Sequence, residues 1–349
     1  MNETSIFTLS MFCYLAAFAL NSASLSLDRQ KLHTYGRAFN WLGITAAIVA
    51  LGMRWHSAGH PPLSNMYESL VTLSTLIVLV GQIFTASQPL PVLEAGASVG
   101  AVLMIGVASV FSSDIRPLIP ALQSYWLHLH VSLAFVGEAC FAVAFILSYL
   151  FCLRRILGDA SGRTDFADSR EKLACYSVVV GLPVVFIGGM VLLARHLSNH
   201  PMYADRWHNI VFWVIIPSIL ATIAVAVMAW LFRGALGRGA ERWLPDNTIL
   251  DNLIYRAIAL GYPLFTVGGL IFGMIWANKA WGRYWGWDPK ETWALITFLV
   301  YSIYLHVRLA RGWSGTWTAC LSVAGFIVTM FTLFGVNFLI SSLHSYAGS

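Results

Sequence analysis

Apolar residues run through this chain in long blocks separated by short polar connections. A helix that crosses a bilayer needs about 20 mostly apolar residues. Ten blocks reach or approach that length: 6–26, 38–54, 66–87, 91–112, 127–152, 174–195, 209–232, 254–278, 291–309 and 318–341. The first two are the least regular, because 21–26 is rich in serine and the second block is short. The longest polar stretches, 153–173 and 233–252, are connections of about twenty residues, and no internal repeat or separate soluble domain interrupts the pattern. The pattern predicts an all-α, polytopic integral membrane helix bundle of about ten transmembrane helices, with 1–349 as a single membrane domain.

Composition excludes the alternatives. Of the 349 residues 58% are hydrophobic and 11% are charged, against roughly 25% charged in a soluble domain. A soluble enzyme, a disordered chain and a secreted disulfide scaffold are therefore ruled out. The five cysteines (Cys13, Cys140, Cys152, Cys175 and Cys320) form no CxxC pair and lie in or beside apolar blocks. That pattern predicts buried thiols, with neither a disulfide framework nor a thiolate metal site. The first apolar block lacks the basic flank of a signal peptide, and a retained helix is expected there.

The net charge of +5 invites a nucleic-acid reading, but the basic residues sit in short loops, where topology explains them. One side of the ten-span arrangement receives 14 Lys and Arg and the other 7. By the positive-inside rule the richer side is cytoplasmic. Both termini are then external, and so are the loops near 54–65, 113–126, 196–208 and 279–290.

The 14 tryptophans change the picture further. Six aromatic residues (Trp276, Trp281, Tyr284, Trp285, Trp287 and Trp293) crowd one external connection and its flanks. An interfacial belt places one or two aromatics at each helix end, so a belt leaves most of these unexplained. Gly282 and Gly286 are interleaved among them, removing side chains and permitting unusual backbone angles. A flat aromatic ligand is the expected partner. Asp288 fits an N-cap, Pro289 the first helical position and Glu291 the reciprocal position of a capping box.

Trp281-Gly282-x-x-Trp285-x-Trp287-Asp288 resembles the tryptophan-rich WWD signature of haem-handling membrane proteins. With Tyr304-Leu305-His306-x-Arg308, the run to Trp293 resembles the CcsA/ResC family of system II cytochrome c biogenesis. Three more segments share that resemblance: Gly59-His60-Pro61-Pro62-Leu63-Ser64-Asn65-Met66-Tyr67-Glu68-Ser69-Leu70, Gln123 to Val131 with its Leu127-His128-Leu129-His130 core, and Phe334-Gly335-Val336-Asn337 with Leu343-His344-Ser345-Tyr346. The resemblance covers about 54–155 and 250–348.

It implies a subunit of cytochrome c synthase that carries haem b, as substrate, across a bacterial cytoplasmic membrane rather than a thylakoid one. Haem would be attached on the outer, periplasmic face to the CxxCH motif of apocytochrome c. This enzyme activity, holocytochrome c synthase, would require a CcsB/ResB-type membrane partner. The resemblance also implies Trp281, Trp285, Trp287 and Asp288 as haem contacts, His130 and His344 as external iron ligands, and His306 as a transmembrane iron ligand. No catalytic nucleophile is implied, and thioether formation needs positioning above all. A CcmC-like haem transporter or chaperone, which would share the WWD signature, is the alternative. A cytochrome b-type carrier would need two histidines facing each other deep in the bilayer, and only His306 is deep.

Imidazole is a usual axial ligand for haem iron, and the ten histidines differ in promise. His306 lies fifteen positions after Glu291, hence about 22 Å along the helix, in the cytoplasmic half, where a polar side chain is costly. His128 and His130 are two apart and do not share a helix face, so at most one of them faces the loop. His208 begins the seventh span externally and is the rival to His130. The HxxxH pairs His56/His60 and His196/His200 are interrupted by Gly59, Pro61 and Pro62 or stopped by Pro201, although His60 stands in a family motif and remains a candidate for the cavity lining. Glu138, about two turns inside the fifth span, is expected to be protonated or hydrogen-bonded. The segment 156–248 adds two spans and a histidine-bearing loop to the family pattern, an even number that preserves the sidedness of the downstream spans.

Overall fold

The computed structural model describes residues 3–27, 29–86, 88–115, 117–160, 166–183 and 244–340. Every regular element among them is helical: α1 (Glu3–Leu27), α2 (Gln30–Ala58), α3 (Met66–Phe84), α4 (Pro91–Ala108), α5 (Tyr125–Ala160), α6 (Ser169–Tyr176), α7 (Asn247–Phe265), α8 (Gly273–Trp281), α9 (Pro289–Ala310), α10 (Thr316–Met330) and α11 (Val336–Leu339). The widened turns Thr266–Phe272 and Phe331–Gly335 join α7 to α8 and α10 to α11 without a break. Eight helical runs among the described residues are long and apolar enough to cross a membrane. They correspond to eight of the ten expected blocks. Of the expected spans 174–195 and 209–232 only 174–183 is described, and it is helical; the rest, like most of 156–248, lies outside the described residues.

Connections at one end of the bundle are held by Arg54. Its guanidinium is fully buried; Nε donates to Glu68 Oε1 at 2.7 Å and Nη1 to the Ser113 carbonyl at 2.8 Å, while Glu3 lies 3.6 Å away. One cation thus ties α1, α2, α3 and the loop after α4 together. The opposite end is tied by His33 Nε2 to Glu94 (3.2 Å), Arg155 to Glu171 (2.9 Å) and Arg308 to Asp251 (2.5 Å). Arg154 also donates there to the carbonyls of Leu244 and Pro245. The helices alternate in direction, so the described chain begins and ends at the Arg54 end, which also carries the loop between α8 and α9.

At the centre, α5 packs against α7, and three glycines set their separation. A Cβ on Gly261 would meet Cys140 at 2.7 Å, one on Gly137 would meet the Phe265 nitrogen at 2.8 Å, and one on Gly268 would meet the Ala134 nitrogen at 2.6 Å. Small residues allow this backbone approach in a bilayer, where hydrophobicity alone gives helices no reason to associate. Pro263 lies inside α7. It lacks an amide proton, and its ring crowds the preceding turn. The widened turn Thr266–Phe272 follows it directly.

Candidate functional site

The site begins with that widened turn. Turns of this type shift the backbone hydrogen-bond register and recur at functional positions. The Gly268 carbonyl accepts from His130 Nδ1 at 2.8 Å. A carbonyl can only accept, so Nδ1 carries a proton and is the donor in this bond. The imidazole is stacked on Trp276 at 5.8 Å between centroids and 12° between planes. A Cβ on Gly273 would lie 3.0 Å from His130 Cε1, so α8 also yields room for the ring. Trp276 itself is buried and donates its indole N–H to the Ala121 carbonyl at 2.9 Å. His130 is thereby fixed in tilt and depth.

The six aromatics do not form one platform. Trp276 lies beneath His130, and Trp293 packs on Phe331 with centroids 4.2 Å apart; both serve the helices. Trp281 meets Trp276 edge-on at 4.9 Å. Tyr284 and Trp287 are 59% and 70% exposed, and Trp285 stands perpendicular to Trp287 at 5.7 Å.

Trp287 has φ +56°, the one non-glycine residue with positive φ among those described. Such a conformation is strained for a bulky side chain. Glu291 holds it there: its Oε2 accepts the Gly286 N–H at 2.8 Å and the Asp288 N–H at 3.2 Å, on either side of Trp287. Asp288 is the N-cap of α9, accepting from Lys290 N, with Pro289 in the first turn and the capping box complete.

Below the loop lies a cavity of about 140 Å³, lined by His130, Glu138, Trp285, Lys290 and Asn337 among others. Ligand pockets usually measure roughly 300–1,000 Å³, so this one is too small to enclose a porphyrin. His60 is buried near the same end and its Nδ1 donates to the Pro61 carbonyl at 3.1 Å. The cavity wall beside it is built from Leu63, Ser64, Asn65 and Met66. His128 is half-buried, whereas His130 stacks on Trp276, so the two histidines of α5 face different neighbours, as their spacing predicts. His306 is exposed on the described surface of α9, four residues before its end. His208 and His344 lie outside the described residues. Asn337, seven positions before His344, meets Lys290 at the loop end of the bundle.

A family model described as "Cytochrome C assembly protein" matches residues 63–344. Three relatives are each named "Cytochrome c biogenesis protein CcsA". The one from Nostoc sp. is 34% identical over 331 residues, covering 88% of this chain and 89% of its own. The one from Rippkaea orientalis is 33% identical, covering 98% and 94%. The one from Gloeothece citriformis is 35% identical, covering 91% and 88%. This chain belongs to the CcsA family. A role in cytochrome c maturation follows.

Within this CcsA-family chain the Ser64-to-Glu68 motif has a structural meaning. Asn65 Oδ1 accepts the Glu68 N–H at 2.9 Å and caps α3, while Glu68 Oε2 accepts the Ser64 N–H at 2.7 Å. The other Glu68 oxygen holds Arg54. The motif therefore shapes the wall of the cavity. The cysteines are less scattered than expected: Cys152 of α5 lies beside Cys175 of α6 and Cys320 of α10. Linear spacing hides a cluster drawn from three helices. Among the described residues no group of His, Cys, Asp and Glu is arranged to hold a metal ion. Lys290 and Asn337 as cavity groups, and Glu291 as the clamp on the loop, are not apparent from the sequence, although Lys290 and Glu291 stand in the same WWD run.

Proposed function

We infer that this CcsA-family chain presents haem at the loop end of the bundle for covalent attachment to apocytochrome c. His130 and His344 are the axial ligands in this reading, and Trp281, Trp285 and Trp287 lie against the porphyrin, with Asp288 setting the loop from its helix cap. The observation that carries it is the bond from His130 Nδ1–H to the Gly268 carbonyl. Metal-binding histidines characteristically donate one ring nitrogen to such a carbonyl, which orients the ring and raises the donor strength of the other nitrogen. The size of the cavity is compatible with haem lying against the loop, with only part of the molecule inserted.

The loop end faces the outer side of a bacterial cytoplasmic membrane, because the opposite end carries most of the Lys and Arg. His306 is exposed on α9 inside a span, an expensive place for an unpaired polar group. A CcsB/ResB-type subunit supplies its counterpart, and the two hold haem before it passes outward. At the outer face each thiol of the CxxCH motif adds across a vinyl group: sulfur bonds to one vinyl carbon and hydrogen to the other. No redox partner enters that balance. The protein's contribution is to fix the vinyl groups beside the thiols, which requires no protein nucleophile.

Co-expression with a CcsB/ResB-type partner and a CxxCH apocytochrome tests the reading. It predicts haem in the purified complex and covalent haem on the cytochrome. Haem without covalent product would favour the CcmC-like chaperone, and a complex that binds no haem would overturn the reading.

A further inference from the structure

Two ionisable side chains in the cavity hold neither the iron ligand nor the loop. Glu138 is 7% exposed, lines the cavity, and its Oε2 has no hydrogen-bond partner among the described residues. Lys290 lines the same cavity, and its Nζ donates to Asn337 Oδ1 at 3.2 Å. The Asn337 amide is fixed the other way round, donating to the Leu333 carbonyl at 2.6 Å and to Met66 sulfur at 3.9 Å. Its oxygen is therefore held toward the lysine. Glu138 and Lys290 line one cavity but form no ion pair within 4.0 Å of each other. A cation and a carboxyl thus face one cavity with a gap between them.

A membrane protein does not keep two such groups apart in an apolar interior without cost. The gap has the chemistry of a carboxylate receptor: the ammonium supplies charge, and a protonated Glu138 donates a hydrogen bond. A carboxylate entering the gap would neutralise the ammonium and satisfy the unpartnered Glu138 oxygen when that carboxyl carries a proton.

We propose that Lys290, aligned by Asn337 and opposed by Glu138, takes a propionate carboxylate of haem into this cavity. The inference rests on the haem reading above. It also gives the cavity a use consistent with its size, because about 140 Å³ admits a short carboxyethyl arm and excludes the ring. His130 lines the same cavity, so the iron ligand and the carboxylate receptor belong to one continuous surface.

The test compares haem with haem dimethyl ester, whose propionates carry no charge, on the purified complex with its partner. A charge-assisted hydrogen bond predicts a preference for free haem of roughly ten- to a hundredfold in the wild type. Lys290→Gln and Lys290→Met, the second keeping the length without the charge, should bind both compounds about equally. Lys290→Arg should restore the preference. Unchanged discrimination in both neutral variants overturns this inference and leaves the haem reading standing. A wild-type complex that binds neither compound overturns both.

Discussion

The substitution Gly268→Ala separates packing from ligand alignment. The new Cβ would sit 2.6 Å from the Ala134 nitrogen and 2.7 Å from Leu133 Cβ. Ordinary contact begins at 3.4 Å, so α5 and the widened turn must part by about 0.8 Å. Their contact is mostly backbone and cannot rotate away. Overpacking of this kind costs about 1–3 kcal/mol. The same displacement stretches the 2.8 Å bond from His130 Nδ1 to the Gly268 carbonyl, and losing such a support typically lowers metal affinity by roughly 10–100-fold. The assay is haem affinity of the purified complex beside its thermal unfolding temperature. Gly106→Ala is the control, because a Cβ there meets nothing within 4 Å. The prediction is a loss of affinity out of proportion to the loss of stability. Wild-type haem affinity in a folded Gly268→Ala complex would refute the alignment of His130 by that carbonyl.

Other outcomes rest on the same contacts. Glu291→Gln weakens the clamp on both sides of Trp287, and a capping contribution of about 1 kcal/mol predicts several-fold poorer haem retention, read from the bound-haem ratio after gel filtration. Arg54→Met leaves Glu68 buried and uncompensated, and breaking such a pair costs about 3–5 kcal/mol, measured as a lowered unfolding temperature. His306→Ala, made in the complex with its partner, should lower haem loading, and added imidazole should restore it; wild-type loading would remove His306 from the pathway.

Much of the fold is legible in the sequence because membrane spans announce themselves by length and apolarity, without long-range information. Eight of the expected blocks coincide with eight crossing helices. The ends are less legible. The block expected at 38–54 belongs to a helix running Gln30–Ala58, since polar residues at its start pack against neighbouring connections at the bundle end. The capping box at Asp288 and the stop at Gly59 can be read directly, because caps are local. His130 is identifiable as a residue, but the Gly268 carbonyl that orients it is not: it comes from 138 positions away and depends on a change of helical register after Pro263. Trp276 and Trp293 mislead for the related reason that composition cannot tell a ring that meets ligand from one that supports a helix. The cluster of Cys152, Cys175 and Cys320 is hidden in the same way, by assembly from three separate helices.

Binding of haem iron by His130 at the loop end is tested most directly by the visible absorption and electron paramagnetic resonance spectra of the oxidised complex, recorded for wild type and His130→Ala. Low-spin, bis-histidine iron is expected in the wild type, with its loss at the loop site in the variant and recovery when imidazole is added. Identical low-spin spectra in both proteins, with equal haem content, would contradict that role for His130.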